Sequence, residues 1–457
     1  MRLLFPVIAY AFLSTACMNK EKTSLVSKAP ISIITLDPGH FHAALVQKSM
    51  YPDVDSNVYV YAAEGSDLDL HLQRIKNYNS RAEAPTHWNE IVYTGNDYLE
   101  KMISEKKGNL VVISGNNKNK ADYISKSLAA GLHVFADKPM IIQQADFEKL
   151  KAAFDIAKKQ NVQLYDIMTE RYEVTNALQR IFSMNKTIFG ELEKGTEENP
   201  AITKESVHHF YKFVSGNVLV RPQWFMDVKQ QGEGLVDVMT HLVDLVQWEC
   251  FPDQIIDTNQ IQIHRSLRWP TKMSLNQFNT ITKSNGFPDY LKSSLASDTV
   301  LNVYSNGEII FKINDVYAKT SVIWNYQAPE GTGDTHYSIM KGSTSHLEIR
   351  QGKEENYKPT LYILPQSNID SNYINEINAQ LKSLDQQWPG LTAENLITRI
   401  RINIPANVQV GHEAHFAQVM EKYLGYLKEK NMPVWEVPNM LAKYYTTTKG
   451  LAVASER

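Results

Sequence analysis

The chain predicts a parallel α/β domain followed by an α+β domain built on a large, open, mostly antiparallel sheet. Three observations carry this expectation. Short apolar, β-branched runs alternate with helical patterns up to residue 167, the alternation that forms parallel sheets covered by helices on both faces. Beyond residue 168 come successive strand-like segments with Gly and Asn turns, among them QIQIHRSLRW, TVLNVYSNGEIIFKIN, TSVIWNY and HLEIRQG. The 457 residues, 43% hydrophobic and 21% charged, are enough for more than one substantial core.

The N-terminus reads as a sorting signal rather than as fold. Met1-Arg2 precedes LLFPVIAYAFLSTA, an apolar run too short to span a membrane comfortably, and then Cys17. Small residues at Ser14, Thr15 and Ala16 give this stretch the layout of a bacterial lipoprotein signal, in which the cysteine is lipidated and becomes the new N-terminus. A plain cleaved signal peptide is the alternative. The expected division is a signal over 1–17, a solvated tether over 18–29, the α/β domain over 30–167 and the α+β domain over 168–457. The expected location is outside the cytoplasm, periplasmic or held at a membrane by lipid on Cys17, with no other contact to a membrane.

Within the first domain, ISIITL (31–36) reads as a strand ending at the turn DPGH, HAALVQKSM as a helix and NVYVYAAE (57–64) as a second strand, together a βαβ unit. NLVVISG (109–115), HVFADKP (133–139) and VQLYDI (162–167) are the following strands, separated by the helices KADYISKSLAAG and DFEKLKAAFDIAKKQN. In the second domain EVTNALQRIF, residues 232–249 and HEAHFAQVMEKYLGYLKEKN have helical patterns, and VHHFYKFVSG is strand-like. A net charge of −3 and the lack of a basic block with interleaved aromatics argue against nucleic acid as a partner. Besides Cys17 the chain has one cysteine, Cys250, so neither an intramolecular disulfide nor a cysteine metal cluster is expected once the signal is removed.

Three places carry chemistry. In the turn LDPGHFHA (36–43) only Gly39 remains of the glycines that let backbone N–H groups approach a pyrophosphate; Asp37 and His42 stand at the flanking positions. Glu64 closes the second strand twenty-five residues beyond Gly39, near where an acid bonds the ribose hydroxyls of NAD. In ADKPM (136–140), Lys138 ends a sheet strand, where ligands of open α/β sheets bind. Pro139 restricts its backbone, and a lysine there can donate to a substrate oxygen. In GEGLVDVMTHLVDL (232–245), Asp237, His241 and Asp244 recur at helical spacing, so that Asp237 could orient the His241 imidazole. No third His or Cys accompanies the pair, and no metal site is expected there.

Together these segments resemble the glucose–fructose oxidoreductase / inositol dehydrogenase / rhizopine-catabolism (Gfo/Idh/MocA) family of NAD(P)-dependent enzymes. LVVISGNNKNKADYISKSLAAGLHVFADKP (110–139) is similar to the family's segment leading to its Glu-Lys-Pro motif, with Asp137 in place of the glutamate. GEGLVDVMTHLVD is similar to its glycine-rich helix carrying Asp, then His four on, then Asp three further. The resemblance implies a Rossmann-type first domain and hydride transfer between nicotinamide and a sugar, glycoside or cyclitol carbon. Lys138 would polarise the oxygen, His241 would act as general base, Asp237 would hold its tautomer, and Asp244 would be structural. The cofactor contacts it implies are Gly39, His40, Phe41, Glu64, Gly115, Asn116, Asn117, Asp137 and Lys138, with NAD or NADP retained tightly because the chain is exported. Asn116 and Lys120 depart from the proline and histidine common in the family, and the stretches HFYKFVSGNVLVRPQWF and GHEAHF mark a subgroup with its own C-terminal domain.

Further candidate substrate contacts are His209, Lys212, Arg221 and Trp224, with His208 beside them; Trp224 would stack on a pyranose and Arg221 would bond hydroxyls or a carboxylate. His412 and His415 read as a packing pair at a helix N-terminus. Two alternatives stand beside the dehydrogenase. One is an NAD-dependent glycosidase working by transient oxidation, elimination, hydration and re-reduction, with Tyr211 as a further base. The other is a non-catalytic sugar-binding lipoprotein. A large open sheet of this kind commonly pairs face to face, so a homo-oligomer is expected.

Overall fold

The computed structural model describes residues 31–214 and 217–456. The expected signal, Cys17 and the tether lie outside the described residues. Six short strands form the first sheet: β1 (Ile33–Leu36), β2 (Asn57–Tyr61), β3 (Asn89–Tyr93), β4 (Leu110–Ile113), β5 (His133–Asp137) and β6 (Leu164–Ile167). All pair in parallel, in the order β3-β2-β1-β4-β5-β6. This doubly wound order leaves a crevice beyond the carboxyl ends of β1 and β4, where the strand order reverses. Every residue of β1, β4 and β6 is buried, as expected for strands covered on both faces. The covering helices are α1 (His42–Val46), α2 (Ser66–Ser80), α3 (Tyr98–Glu105), α4 (Lys120–Ala129) and α5 (Phe147–Gln160).

Two features depart from the sequence reading. The helix α1 is a single turn, because tertiary donors take the carbonyls at its end: Tyr51 Oη donates to Val46 O at 2.7 Å and Trp88 Nε1 to Gln47 O at 2.7 Å. Between residues 65 and 108 the chain adds α2, β3 and α3, none of them evident from pattern. β3 is an edge strand whose Ile91 and Val92 are both half-exposed, so it lacks the alternation that marks a strand in sequence.

The second part begins with α6 (Val174–Ser183), β7 (Ile202–Tyr211), the hairpin β8 (Phe213–Val214) and β9 (Asn217–Val218), and α7 (Met239–Cys250). There follow β10 (Ile261–Ser274), α8 (Leu275–Thr282), β11 (Leu295–Ser297), β12 (Val300–Ile313), β13 (Val316–Gln327), β14 (Thr335–Lys341), β15 (Ser345–Arg350) and β16 (Thr360–Pro365). The chain ends in α9 (Ser371–Ser383), β17 (Thr392–Asn395), β18 (Ile400–Asn403), α10 (His412–Glu429) and α11 (Glu436–Ser455). The sheet runs β10-β12-β13-β7-β14-β15-β16-β18-β17, with β11 also paired to β12. It is antiparallel except where β7 and β13 run parallel. Leu178 and Phe182 of α6 and Met239, Leu242, Val243 and Val246 of α7 share one buried core with Ile309, Val322, Met340 and Leu347 of the sheet.

A boundary after Ile167 separates the two sheets, but not the two cores. α10 returns Phe416, Val419, Met420 and Tyr423 to the core of the first sheet, and α11 returns Met440 and Tyr444. The Tyr423 ring stacks on Phe135 at 5.1 Å and on Tyr165 at 5.3 Å. α11 does not stand out in sequence, because Pro438 lies in its first turn and its hidden face is polar, with Lys443 and Thr446–Thr448 all buried. Thr446 and Thr448 satisfy their hydroxyls on carbonyls four residues back, which lets threonine be buried within a helix.

A buried ionic cluster joins these elements. Asp244 of α7 accepts Nε and Nη2 of Arg171, each at 2.7 Å, and Lys443 Nζ at 2.8 Å. Lys443 also reaches Asp166 of β6 at 2.6 Å, and Arg171 Nη1 meets Glu436 at 3.1 Å. Asp244 is therefore a structural residue, satisfied by the Arg171 and Lys443 side chains. Burial works to raise the Asp244 pKa, but the charges of Arg171 and Lys443 hold it far below the usual carboxylate range. Asp244→Asn should cost about 3–5 kcal/mol in equilibrium urea unfolding at neutral pH, because it leaves buried cations uncompensated. For a depressed pKa the stabilisation is full above the unfolded value of about 3.9 and is lost as pH falls. The gap between wild type and Asp244→Asn should therefore narrow below about pH 4.

Candidate active site

Lys138 follows directly on β5, at the carboxyl edge of the parallel sheet, and its peptide bond to Pro139 is cis. Its ammonium forms an ion pair with Asp237 Oδ1, and both side chains are buried. Asp237 belongs to the tight turn before α7, where Asp237 N bonds Glu233 O at 2.9 Å and His241 N bonds Val238 O at 2.9 Å. The glycines of the GEG stretch serve this turn: a Cβ on Gly234 would stand 1.9 Å from Ser305 O of β12. The helix begins only at Met239, so Asp237 does not share a regular helical face with His241. This corrects the expectation that Asp237 orients the imidazole. Asp237 neutralises Lys138, while His241 Nδ1 is buried without a hydrogen-bond partner.

Lys138, Asp237 and His241 nevertheless line one cavity of about 870 Å³. Burial, followed by the nearby Lys138 charge, holds the His241 pKa well below its ordinary value, so the imidazole is neutral at physiological pH. The opposite wall is organised by Asp334, which precedes β14. Its carboxylate accepts His208 Nδ1 at 3.2 Å, His209 Nδ1 at 3.0 Å and Lys212 Nζ at 2.9 Å. Burial opposes ionisation of Asp334, but these donors hold its pKa far below the usual range. Lys212 and His208 face the cavity, while His209 is buried behind it as a support for Asp334.

Two expected substrate contacts are placed differently. Arg221 reaches the cavity wall, but Nε and Nη2 bond the carbonyls of Phe210 and His209, and the guanidinium lies 4.5 Å from the Phe225 ring centroid and 5.3 Å from that of Trp324. Its role is to brace the wall. Trp224 lies outside the cavity and donates Nε1 to Asp67 Oδ2 at 2.7 Å. The tryptophan that does line the cavity is Trp324 of β13, its ring 5.2 Å from the stacked imidazole of His208. Tyr211 packs on Phe213 and Tyr326 instead of lining the cavity.

Sequence reasoning missed Glu170 and Asp334, and took His412 for packing alone. Glu170 sits in the loop after β6 and lines the cavity; burial and then the Glu173 charge raise its pKa to about 7. His412 begins α10, also lines the cavity, and contacts Thr169 Oγ1 at 3.3 Å. The signal available for Glu170 was its position, just past the carboxyl end of a parallel strand.

The expected dinucleotide turn lies beyond β1. A Cβ on Gly115 would stand 2.1 Å from Asp37 O, so β4 and the turn touch only because that residue is glycine. Asp67 Oδ2 and the Trp224 ring lie 2.9 and 3.0 Å from the Cβ position of Gly39. Asn116 Nδ2 donates to Gln230 Oε1 and Asn117 Nδ2 to Gln231 O, each at 2.7 Å. Glu64 is exposed in the turn after β2, 3.3 Å from Thr94 Oγ1. Phe41 caps α1, and its ring packs against those of His40 and His42 at 4.7 and 4.4 Å; the two imidazoles lie 4.1 Å from each other. Asp137 Oδ2 accepts His42 Nδ1 at 3.0 Å and Ser114 Oγ at 2.9 Å, with His40 Nδ1 at 3.6 Å.

Residues 65–166 match the family described as "Oxidoreductase family, NAD-binding Rossmann fold", and residues 178–455 match "Putative oxidoreductase C terminal domain". A crystallised putative oxidoreductase from Parabacteroides merdae is 53% identical, covers 94% of this chain and 98% of its own, and superposes with a TM-score of 0.90. The chain belongs to the Gfo/Idh/MocA oxidoreductase family. Two more distant structures share the fold. A putative myo-inositol dehydrogenase from Sinorhizobium meliloti is 12% identical over 93% of this chain and 98% of its own, with a TM-score of 0.53. A 3-ketoreductase from Actinomadura kijaniata, solved with NADP and TDP-benzene, is 12% identical over 93% and 97%, with a TM-score of 0.54. No curated protein matches the sequence.

As a Gfo/Idh/MocA enzyme the chain is an NAD(P)-dependent oxidoreductase, and the reading as a non-catalytic binder falls away. The crevice fits a nicotinamide cofactor. Asn117 Oδ1 and His241 Nδ1 are buried polar atoms lacking partners, able to bond a bound ring or amide. The imidazole of His241, assigned by comparison with His241→Gln, should show no protonation step near pH 6.5 in nitrogen-15 NMR; such a step would contradict the burial described here.

Proposed function

We propose that this enzyme is exported, lipid-anchored at Cys17, and oxidises or reduces a hydroxyl-bearing carbon of a sugar, glycoside or cyclitol. One observation carries the reading: a buried Lys138–Asp237 ion pair and a neutral, partner-free His241 line the same cavity. Lys138, its charge balanced by Asp237, holds the substrate oxygen and stabilises developing negative charge on it. His241 takes the hydroxyl proton during oxidation and returns it during reduction. When bound, the nicotinamide ring supplies the hydride acceptor and donor. Gly39, His40, Phe41, Gly115, Asn117 and Glu64 would hold the dinucleotide. Across the cavity Lys212 and His208, fixed by Asp334, bond other hydroxyls, and the Trp324 ring offers a face to apolar C–H groups of a pyranose. Outside the cytoplasm the cofactor would remain bound between turnovers, and the large sheet would pair two copies.

Glu170 favours a second reading. A carboxyl raised to about 7 in the same cavity can exchange protons at neutral pH. It supplies the additional base that a redox-neutral glycosidase needs to remove the proton beside a transient ketone. Stable keto-sugar would identify the dehydrogenase; aglycone release without net change in the cofactor would identify the glycosidase.

Denaturing the purified full chain should release roughly one dinucleotide per polypeptide if the site is a retained cofactor site of ordinary single-site occupancy. A chain that carries none and binds none when it is added would sink the proposal. With substrate identified, His241→Ala should lower turnover by about 10²–10⁴ while sugar binding persists. An unchanged rate would remove His241 from the mechanism.

A further inference from the structure

We propose that His40, His42 and Asp137 form a mononuclear site for a divalent first-row transition metal, built into the turn where this fold ordinarily places glycines. The order β1-β4-β5 makes it possible. His40 and His42 leave the end of β1, Asp137 ends β5, and Ser114 lies between them just past β4. All three residues present a ligand atom within 4.8 Å of the others.

The spacing is that of a coordination shell. Four ligands around zinc at about 2.0–2.1 Å stand about 3.3 Å apart. Asp137 Oδ2 lies 3.0 Å from His42 Nδ1 and 3.6 Å from His40 Nδ1. A hydrogen bond alone would need one imidazole; here two converge on a single carboxylate oxygen, and the His40 distance is too long for such a bond. His42 N–H also approaches His40 Nδ1, at 3.4 Å, a weak contact that leaves that nitrogen available.

Supporting contacts match those that orient metal ligands. Ser114 Oγ donates to the same Asp137 Oδ2 at 2.9 Å, and the buried Lys120 ammonium holds the Asp137 carbonyl at 2.8 Å. The His42 ring is packed by Phe416 of α10 at 4.6 Å. Two histidines and one carboxylate suit zinc, iron(II) or manganese(II), and leave coordination positions open. Both histidines line the large cavity, so the open positions face it. Asp237 already pairs with Lys138, and the Asp137 charge acts on the nearby Lys120. An added divalent ion would make the pocket cationic and favour an anionic oxygen ligand, such as a phosphate or a deprotonated hydroxyl.

The test uses the full chain, stripped with a chelator and titrated with zinc chloride by calorimetry, with metal content measured after dialysis. One ion per chain is expected in wild type. His42→Gln can still hydrogen-bond Asp137 but lacks the imidazole; it and Asp137→Asn should each weaken binding by at least about tenfold, the loss seen even for outer-shell partners. His346→Gln, on the far strand β15, should bind as wild type does. Uptake of no ion by wild type, or equal uptake by wild type and the two cluster variants, would overturn the proposal. Should the cluster variants fail to fold, X-ray absorption of zinc-loaded wild type decides. A nitrogen and oxygen shell with two imidazoles supports the site, and a sulfur shell or one of oxygens alone refutes it.

Discussion

The buried charges of Asp166, Arg171, Asp244, Glu436 and Lys443 are the constraint on which the rest of the arrangement rests. They come from β6, the loop after it, α7 and α11, so their mutual satisfaction fixes how α7 lies against the parallel sheet. An unpaired charge at any of these positions would be costly in the interior, which makes this docking close to all-or-none. Apolar packing alone would tolerate sliding of one element past another. The ionic cluster does not, because its hydrogen bonds require particular directions as well as proximity.

That docking places the chemistry. Lys138 is carried by the first sheet, whereas Asp237 is carried by the approach to α7 and His241 by its first turn. The two halves of the site are joined by the Lys138–Asp237 pair, ninety-nine residues apart in sequence. Asp334 performs a comparable task on the opposite wall, gathering two histidines and a lysine with one carboxylate. α10 closes the remaining side by bringing His412 over the loop that carries Glu170. Two of the walls are thus each held by an acid, Asp237 or Asp334, that pairs with basic side chains from another segment.

Much of this was legible in the sequence where local pattern and position coincide. The runs ISIITL, NLVVISG and HVFADKP are buried on both faces and announce parallel strands; the turn signals after them locate the crevice. Lys138 and His241 could be singled out because their segments resemble those of a known family. What failed had a physical cause. Trp224 and Trp324 are equally suited to a sugar, and only the packing of β13 beside β7 shows which one reaches the cavity. The four-residue spacing of Asp237 and His241 implied a shared helical face, but the close passage of Gly234 against β12 tightens the turn and sends Asp237 to Lys138 instead.

The sequence by itself determined the order and type of most elements, the Rossmann-type domain and the large second sheet. Those properties are encoded in short windows, where hydrophobic period and turn residues act locally. Only the tertiary structure decided which acid serves which base, that the last two helices belong to the first core, and that His40, His42 and Asp137 meet. Such pairings depend on strand order and on the directions of buried hydrogen bonds between residues distant in sequence, which no local pattern specifies.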